Sequence, residues 1–458
     1  MQYNFSHVYF IGVGGIGMSA LARYFKAIGK EVAGYDRTET ALTQQLVQEG
    51  ISITYTDAEI SILEGYKDNT NTLIVYTPAI PKDSIILNWF NNNNFDMKKR
   101  AEVLGLITKA QQSICIAGTH GKTTITTMTS HLLYSSKVGC NAFLGGISLN
   151  YDSNFLRNTD SNKVVIEADE FDYSFLQLYP HTAIISAIDA DHLDIYGTHQ
   201  HLIDSFSKFT SQITEDGNLI IKDSLKLDTK TKSSVKIYTY NIESGDFHVE
   251  NLKLIDGLYN FDFITPEEKI TNVTLGIPGR VNVENSIAAL AAAYLHGVSA
   301  DQLRENLSSF KGIRRRFQYQ VRQADCAYID DYAHHPEELC ATINSVRSIY
   351  PDKKITGIFQ PHLYSRTQDF APEFAAALSL LDELWLMDIY PARELPIPGV
   401  SSEIILKDVN CKSELLNANQ IFEKIKETEI EILLTLGAGD IDLLVPKITN
   451  LLKTKNQE

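Results

Sequence analysis

The chain has 458 residues, 44% of them hydrophobic and 21% charged, and a formal net charge of −16. At roughly 100–200 residues per domain this predicts two to four globular domains. It excludes a disordered chain, and it gives no global attraction to nucleic acid or to an anionic membrane surface. An anionic substrate must therefore be held by local Arg, Lys and backbone N–H groups. The five cysteines, Cys115, Cys140, Cys326, Cys340 and Cys411, show no CxxC spacing and read as reduced, buried thiols of a cytoplasmic protein. The N-terminal stretch lacks a basic region ahead of its apolar residues, and no apolar run reaches the ~18 residues of a membrane span, so neither secretion nor membrane insertion is expected.

The first block opens with VYFIGVGGIGMSALARYF, which reads as strand, glycine turn and helix. Gly12, Gly14 and Gly17 form G-x-G-x-x-G, and Asp36 ends the next strand, EVAGYD, 19 residues after Gly17. The glycines let backbone approach a diphosphate at a helix N-terminus. A nucleotide or diphosphate is predicted there without fixing which; a tight turn with no ligand is the plain alternative. TLIVYTPAI is a further strand, and Asn91–Asn94 read as a loop. Short apolar strands alternating with helical patterns predict a parallel, doubly wound sheet.

The second block starts with the strand SICIAG, which runs into Gly118-Thr119-His120-Gly121-Lys122-Thr123-Thr124. Two residues separate these glycines where a P-loop has four, but the chemistry is retained. Backbone N–H groups can wrap a phosphate, Lys122 can reach β/γ oxygens and the Thr123 hydroxyl can meet Mg²⁺, so ATP is the predicted ligand. Strands ending in Glu167-Ala168-Asp169-Glu170 and in Asp189-Ala190-Asp191-His192-Leu193-Asp194 project both acidic runs to the same sheet edge. Oxygen ligands there suit Mg²⁺; a solvated acidic loop is the alternative, and zinc is disfavoured for want of a second His or Cys at ligand spacing. Thr214–Thr274, with SVKIYTYNI and LYNFDFI, reads as a mostly antiparallel insertion, followed by the helix GRVNVENSIAALAAAYLHG.

The third block, from Phe317, offers the strands CAYIDDY, KITGIFQP, DELWLMDIY and EILLTLGAG. Arg314, Arg315 and Arg316 stand at its junction, either as a solvated linker or with one guanidinium reaching a transferring phosphoryl group. Asp330-Asp331-Tyr332-Ala333-His334-His335-Pro336 and Gln360-Pro361-His362-Leu363-Tyr364-Ser365-Arg366 each end a strand and open a helix, as site segments do. The last residues, KTKNQE, read as a frayed tail.

The order GxGGxGM, GTHGKTT, EADExD, DADHxD, GRxNxxN, RRF, DDYAHHP and FQPHxYSR resembles the Mur ligases of peptidoglycan synthesis over nearly the whole chain. The resemblance implies an α/β protein of three domains. Residues 1–107 would be Rossmann-like and bind the UDP-substrate. Residues 108–316 would be a P-loop ATP-binding domain with the antiparallel insertion. Residues 317–458 would be Rossmann-like, close over the site and place the amino acid. Gly12, Gly14, Gly15, Gly17, Met18, Ser19 and Asp36 are then expected on the UDP moiety rather than on NAD. Gly118, Thr119, His120, Gly121, Lys122, Thr123 and Thr124 are expected on ATP, with Asn282 and Asn285 at the adenine and Asp331 also on the nucleotide. Thr123, Glu167 and His192 would surround Mg²⁺. Lys122, His192, Arg316, His334 and Arg366 would carry catalysis, Arg316 at the γ-phosphoryl and His334 and Arg366, with Tyr332, at L-alanine and the acyl group.

Gly14–Ser19 and Asp330–Pro336 resemble the branch that adds L-alanine to UDP-N-acetylmuramate; the branch that reattaches recycled murein tripeptide shares many of these motifs and is the alternative. Val281 stands where a His often precedes Asn282, and Leu363 where an Arg is frequent. Lys208 lies near the position at which some members carry a carbamylated lysine, and it is left unassigned because the L-alanine branch resembles the type lacking it. A monomer or weak homodimer is expected.

Overall fold

Both glycine loops follow an apolar run buried on both faces, and in the computed structural model, which describes residues 4–323, 325–392 and 394–455, each run is a central parallel strand. The first sheet has five parallel strands in the order Ser52–Thr54, Glu31–Tyr35, His7–Ile11, Thr72–Tyr76, Asp96–Lys99. Strand order reverses at His7–Ile11, so the loop that follows it opens at the topological switch point, where α/β sheets bind ligands.

The second sheet has seven strands in the order Lys236–Tyr240, Asn218–Lys222, Thr182–Ile185, Gln112–Ala117, Lys163–Glu167, Asn141–Ser148, Ser153–Leu156. All its pairings are parallel except the last, a hairpin. This corrects the expected antiparallel insertion over Thr214–Thr274. Asn218–Lys222 and Lys236–Tyr240 extend the parallel sheet, with Lys236–Tyr240 as its edge strand. The separate three-stranded sheet begins only at His248, and there Leu258–Ile264 pairs antiparallel with Lys269–Thr274.

The third sheet has six strands, Gln318–Arg322, Ala327–Asp331, Ile432–Leu436, Ile355–Phe359, Glu383–Leu386 and Lys412–Leu415, parallel after the first pair. Alternate residues of its central strands fill different cores, Ile329, Phe359 and Leu434 on one face and Tyr328, Ile358 and Leu433 on the other.

The chain divides into two compact units. One runs to Ile255 and includes Tyr259–Ile277 and Asn282–Lys311; the other comprises Asp256–Leu258, Pro278–Val281 and the residues from Gly312 onward. Within the first unit, the first two sheets share a core, in which Tyr24 meets Phe143 and Phe155. Two local expectations change. Asn91 and Asn92 end the helix Ile85–Asn92, with Asn94 left-handed at φ 56, and Lys453–Lys455 of the supposed tail close the helix Val445–Lys455. The remaining tail residues, 456–458, and the side chains of Leu193 and Asp194 lie outside the described residues. Among the described residues no helix is long and apolar enough to cross a membrane.

Candidate active site

The first glycine loop is shaped from within. Gly12 turns at φ 89, and the Gly14 N–H donates to Asp36 Oδ2 at 2.7 Å, while Asp36 Oδ1 accepts from the Thr38 N–H at 3.1 Å. A Cβ on Gly14 would lie 2.8 Å from that carboxylate. The helix Ile16–Ala27 starts at Gly15 with no side-chain cap and no acid in its first turn. Its leading N–H groups and positive end are therefore left for an anion. By contrast, Thr40, Ser84 and Thr198 cap the helices Ala41–Gln48, Ile85–Asn92 and His199–Ser211.

Gly17 has another cause. A Cβ there would fall 2.2 Å from Nη1 of Arg100, whose Nη2 lies 3.4 Å from Asp169 Oδ2. Arg100 was not singled out by sequence; its one signal is a basic residue at a strand-to-helix junction of the first sheet. Met18 and Ser19 point inward, Met18 into the core and Ser19 Oγ onto the Ile16 carbonyl at 2.9 Å. A cavity of about 100 Å³ lies between helix and acids, lined by Ile16, Gly17, Arg100, Phe143, Glu167 and Asp169 among others.

In the second loop Gly118 adopts φ 141 and Gly121 φ 82, conformations that favour glycine. Added Cβ atoms would lie 2.2 Å from Ser186 Oγ and 2.8 Å from Asn285 Oδ1. Asn285 Nδ2 in turn donates to Asn282 Oδ1 at 3.3 Å, so the two asparagines form one buried pair against the loop. Thr119 ties the loop to the second acidic run: its N–H donates to the Ala187 carbonyl at 3.0 Å and its Oγ1 accepts from the Asp189 N–H at 3.1 Å. His120 Nε2 lies 4.0 Å from Asp189 Oδ2. The helix Lys122–Tyr134, with Thr123 and Thr124 in its first turn, again has neither side-chain cap nor acid there.

Lys122 Nζ donates to the Gly118 carbonyl and to Glu170 Oε1, both at 2.7 Å. Burial acts to lower the ammonium's pKa, but Glu170, Asp169 and Glu167 outweigh it, and the group is raised and stays charged. Glu170 is 0% exposed; burial pushes its carboxyl up against the pull of Lys122. Its second oxygen has no hydrogen-bond partner among the described residues. His192 Nε2 lies 3.8 Å from Glu170 Oε1 and 3.6 Å from Asp191 Oδ2. Ligand atoms of Glu170, Asp191 and His192 all fall within 4.8 Å of one another. A buried orphan oxygen beside a second carboxylate and an imidazole fits a divalent cation. Thr123 Oγ1 donates to Glu167 Oε1 at 3.1 Å. The expected trio of Thr123, Glu167 and His192 is thus divided: the first two pair together, and His192 joins Glu170 and Asp191, which were noted as acidic but not assigned. His192, Asp172 and Tyr173 are left-handed at φ 52, 53 and 55, a conformation costing roughly 1–3 kcal/mol per residue and concentrated at functional sites.

In the other unit Arg315 and Arg316 differ in how firmly they are held. Arg315 is committed: Nη2 donates to the Gly437 carbonyl at 2.6 Å, and Nε and Nη1 lie 3.5 Å from Asp330 and Asp442. Arg316 is looser, 3.8 Å from Glu338 and over the Tyr332 ring at 5.3 Å. Asp331 is spent within the chain, accepting from the Phe317 and Ala333 N–H groups, both at 2.9 Å, and from Thr342 Oγ1 at 3.2 Å. Burial, opposed chiefly by Arg316, holds its carboxyl up at about 6.

His334 Nδ1 lies 2.9 Å from the Tyr332 carbonyl, which assigns the proton of the neutral ring to Nδ1 and leaves Nε2 as an acceptor. Burial keeps the ring below the ordinary histidine range despite Glu338. His362 stands 6.0 Å from it ring to ring and is pushed down to about 4 by burial, then by His334 and Arg366. Arg366 Nη1 is buried with no hydrogen-bond partner among the described residues. Its short helix, Tyr364–Asp369, starts at Leu363, a leucine at φ 73, and is capped by Glu394, which accepts from the Ser365 N–H at 3.0 Å and from its hydroxyl. Sequence reading missed Glu394, which reaches back from a loop 29 residues away.

Three family models match the chain in succession: the Mur ligase family catalytic domain at residues 7–112, the Mur ligase middle domain at 116–293 and the Mur ligase glutamate ligase domain at 315–448. A UDP-N-acetylmuramate–L-alanine ligase of Parabacteroides distasonis is 51% identical over 447 residues, 97% of either chain. A solved UDP-N-acetylmuramate–alanine ligase of Thermotoga maritima superposes with a TM-score of 0.83 at 25% identity, covering 98% of this chain and 99% of that one. A murein peptide ligase of Psychrobacter arcticus gives 0.67 at 22% identity over 98% of both chains, a likeness of fold alone.

Proposed function

The chain belongs to the Mur ligase family, and we propose that it joins L-alanine to UDP-N-acetylmuramate, converting ATP to ADP and phosphate. One observation carries the reading: an uncapped helix behind a glycine loop, whose lysine pairs with the buried Glu170 of a cluster of acids and a histidine. That is a phosphoryl-transfer site. A free carboxylate is a poor acyl donor, so the lactyl carboxylate first attacks the γ-phosphorus and ADP leaves. The amine of L-alanine then adds to the acyl carbon of the acyl phosphate, and the tetrahedral intermediate expels phosphate.

Lys122, charged at neutral pH, exchanges Glu170 for β/γ oxygens and offsets their charge. Loop N–H groups hold the same phosphates, and the Asn282–Asn285 pair flanks the adenine. Magnesium supplies divalent charge to the phosphates when bound, with Glu170, Asp191 and His192, and Thr123 with Glu167, as the groups that hold it. The first glycine loop and its uncapped helix take the UDP diphosphate, with Asp36 fixing the loop's shape. Arg316, held more loosely than Arg315, serves the γ-phosphoryl group. Arg366 offers a two-point contact to the alanine carboxylate, and neutral His334 accepts at Nε2 from the amine. All five cysteines are free thiols, in keeping with a cytoplasmic enzyme.

The 51% identity to a ligase named for L-alanine favours that amino acid over murein tripeptide. The test is phosphate release with UDP-N-acetylmuramate and, in turn, L-alanine, glycine, L-serine and murein tripeptide. L-alanine is expected to be the best substrate; better use of the tripeptide makes the recycling reaction the correct reading.

A further inference from the structure

The hairpin Asn141–Ser148/Ser153–Leu156 has two attachments. On one side it is part of the central sheet, pairing Asn141, Ala142 and Phe143 with Val164, Val165 and Ile166 of the strand that ends in Glu167. On the other it packs against the helix Ile16–Ala27 through an aromatic seam of Phe143, Phe155 and Tyr24. In this apolar seam sits one amide, Asn154, which is 0% exposed. Its Nδ2 donates to the Ile16 carbonyl at 2.6 Å and to Ser19 Oγ at 2.8 Å, and its Oδ1 accepts from Arg23 Nη1. Arg23 is held from its far side by Glu49, Nε and Nη2 donating at 2.8 and 2.7 Å.

An apolar residue would suit the aromatic neighbours equally well, and burying an amide is unfavourable unless its groups are all bonded. What the amide adds is direction. Three bonds to the first two turns of one helix fix both its rotation and its slide. The same turns carry Ile16, Gly17 and Ala20, which line the cavity facing Glu167 and Asp169. The hairpin also seats one of those acids, since a Cβ on Gly145 would lie 2.0 Å from Glu167 Oε2.

We propose that Asn154 is a positioning residue: through the hairpin it sets the placement of the UDP-sugar loop relative to the acidic cluster of the ATP site, and so the approach of the acyl carboxylate to the γ-phosphorus. This rests on the roles given above to the two glycine loops. Each loop keeps its own ligand contacts without Asn154, so binding of either substrate alone should survive its loss while turnover should not. A misplacement of about 1 Å far from the chemistry can cost on the order of a hundredfold in rate.

The test is Asn154→Leu, similar in volume and unable to make any of the three bonds, in the full-length enzyme. Dissociation constants for UDP-N-acetylmuramate and for ATP, each titrated alone by calorimetry, should change less than about threefold, while kcat for alanine-dependent phosphate release falls about tenfold or more. An unchanged kcat overturns the inference. So does a parallel loss of kcat and of both affinities, which marks a structural role only. If Asn154→Leu does not fold, Ser19→Ala, which removes one of the three bonds, is read in the same way with a smaller expected fall in kcat. A wild-type enzyme that releases no phosphate overturns the assigned reaction and this inference with it, whereas a variant as fast as a working wild type overturns this inference alone.

Discussion

Lys122 and Glu170 form a buried ion pair, and its disruption separates fold from chemistry. The ammonium side chain is 15% exposed and the carboxylate 0%. Lys122→Met keeps the stem and removes the charge, leaving Glu170 buried without its cation. Breaking a buried pair from one side costs about 3–5 kcal/mol. At roughly 2–4 °C per kcal/mol for a domain of ordinary size, that predicts a fall of ~6–20 °C in the melting of the ATP-binding unit. Glu170→Gln should cost less, because Lys122 keeps the Gly118 carbonyl and the fields of Asp169 and Glu167. In the double variant both charges are gone and most of the single Lys122→Met loss should return, since a neutral pair of similar volume is tolerated. Activity should not return: with no cation for the β/γ oxygens, phosphate release stays down by at least about a hundredfold in both. Scanning calorimetry and a coupled phosphate assay read the two effects. Additive melting losses in the double variant refute the pairing, and near-normal turnover in folded Lys122→Met refutes the phosphate role.

Gly121→Ala would place a side chain at φ 82 and 2.8 Å from Asn285 Oδ1. Left-handed strain of about 1–2 kcal/mol plus that clash should raise the Michaelis constant for ATP about tenfold with little change in that for L-alanine, as steady-state kinetics can show. Arg366→Lys replaces a planar fork with a point charge and should raise the Michaelis constant for L-alanine much more than that for ATP; equal effects would remove Arg366 from the amino-acid site. His296, 3.3 Å from Lys163 Nζ and 3.0 Å from Thr182 Oγ1, is pushed down to about 3 by burial, then by Lys163 and His181. It is neutral in the fold and gains a proton on unfolding near pH 6.5. Its contribution is therefore whole above about pH 6.5 and is lost as pH falls toward 3, by about 2 kcal/mol at pH 5. Urea midpoints measured against pH should show a shallower acid decline for His296→Gln.

The central strands and both glycine loops were legible because local pattern determines them: runs such as Val8–Ile11 and Ile114–Ala117 are buried on both faces wherever they pack. The hairpin Asn141–Leu156 was not, because its strands carry two glycines and two asparagines that signal turns equally well. The acid–histidine site was legible as a place but not residue by residue. Glu167 and Glu170 differ by three positions, and Glu170 meets Lys122 only because the chain turns into a short 3-10 helix after it. Ser19 resembles a phosphate contact in sequence yet bonds inward, since its partner Asn154 stands 135 residues away. Leu363, noted only for the arginine it replaces, proves to sit at φ 73, a backbone state that side-chain identity does not announce.

That the helices behind the two glycine loops lack side-chain caps has a consequence for the life of the protein in a cell. Neither has a side-chain N-cap among the described residues, and on the proposed roles nucleotide phosphates accept from the leading N–H groups. A ligand that binds only the folded state stabilises it by RT ln(1 + [L]/Kd), about 2.7 kcal/mol at a hundred times its dissociation constant. The starved enzyme is therefore the fragile one. On the proposed binding roles, a fall in nucleotide pools leaves a larger fraction unfolded and open to proteases, so the amount of the ligase as well as its turnover is expected to follow the energy supply, which pulse-chase of the protein in energy-depleted cells checks.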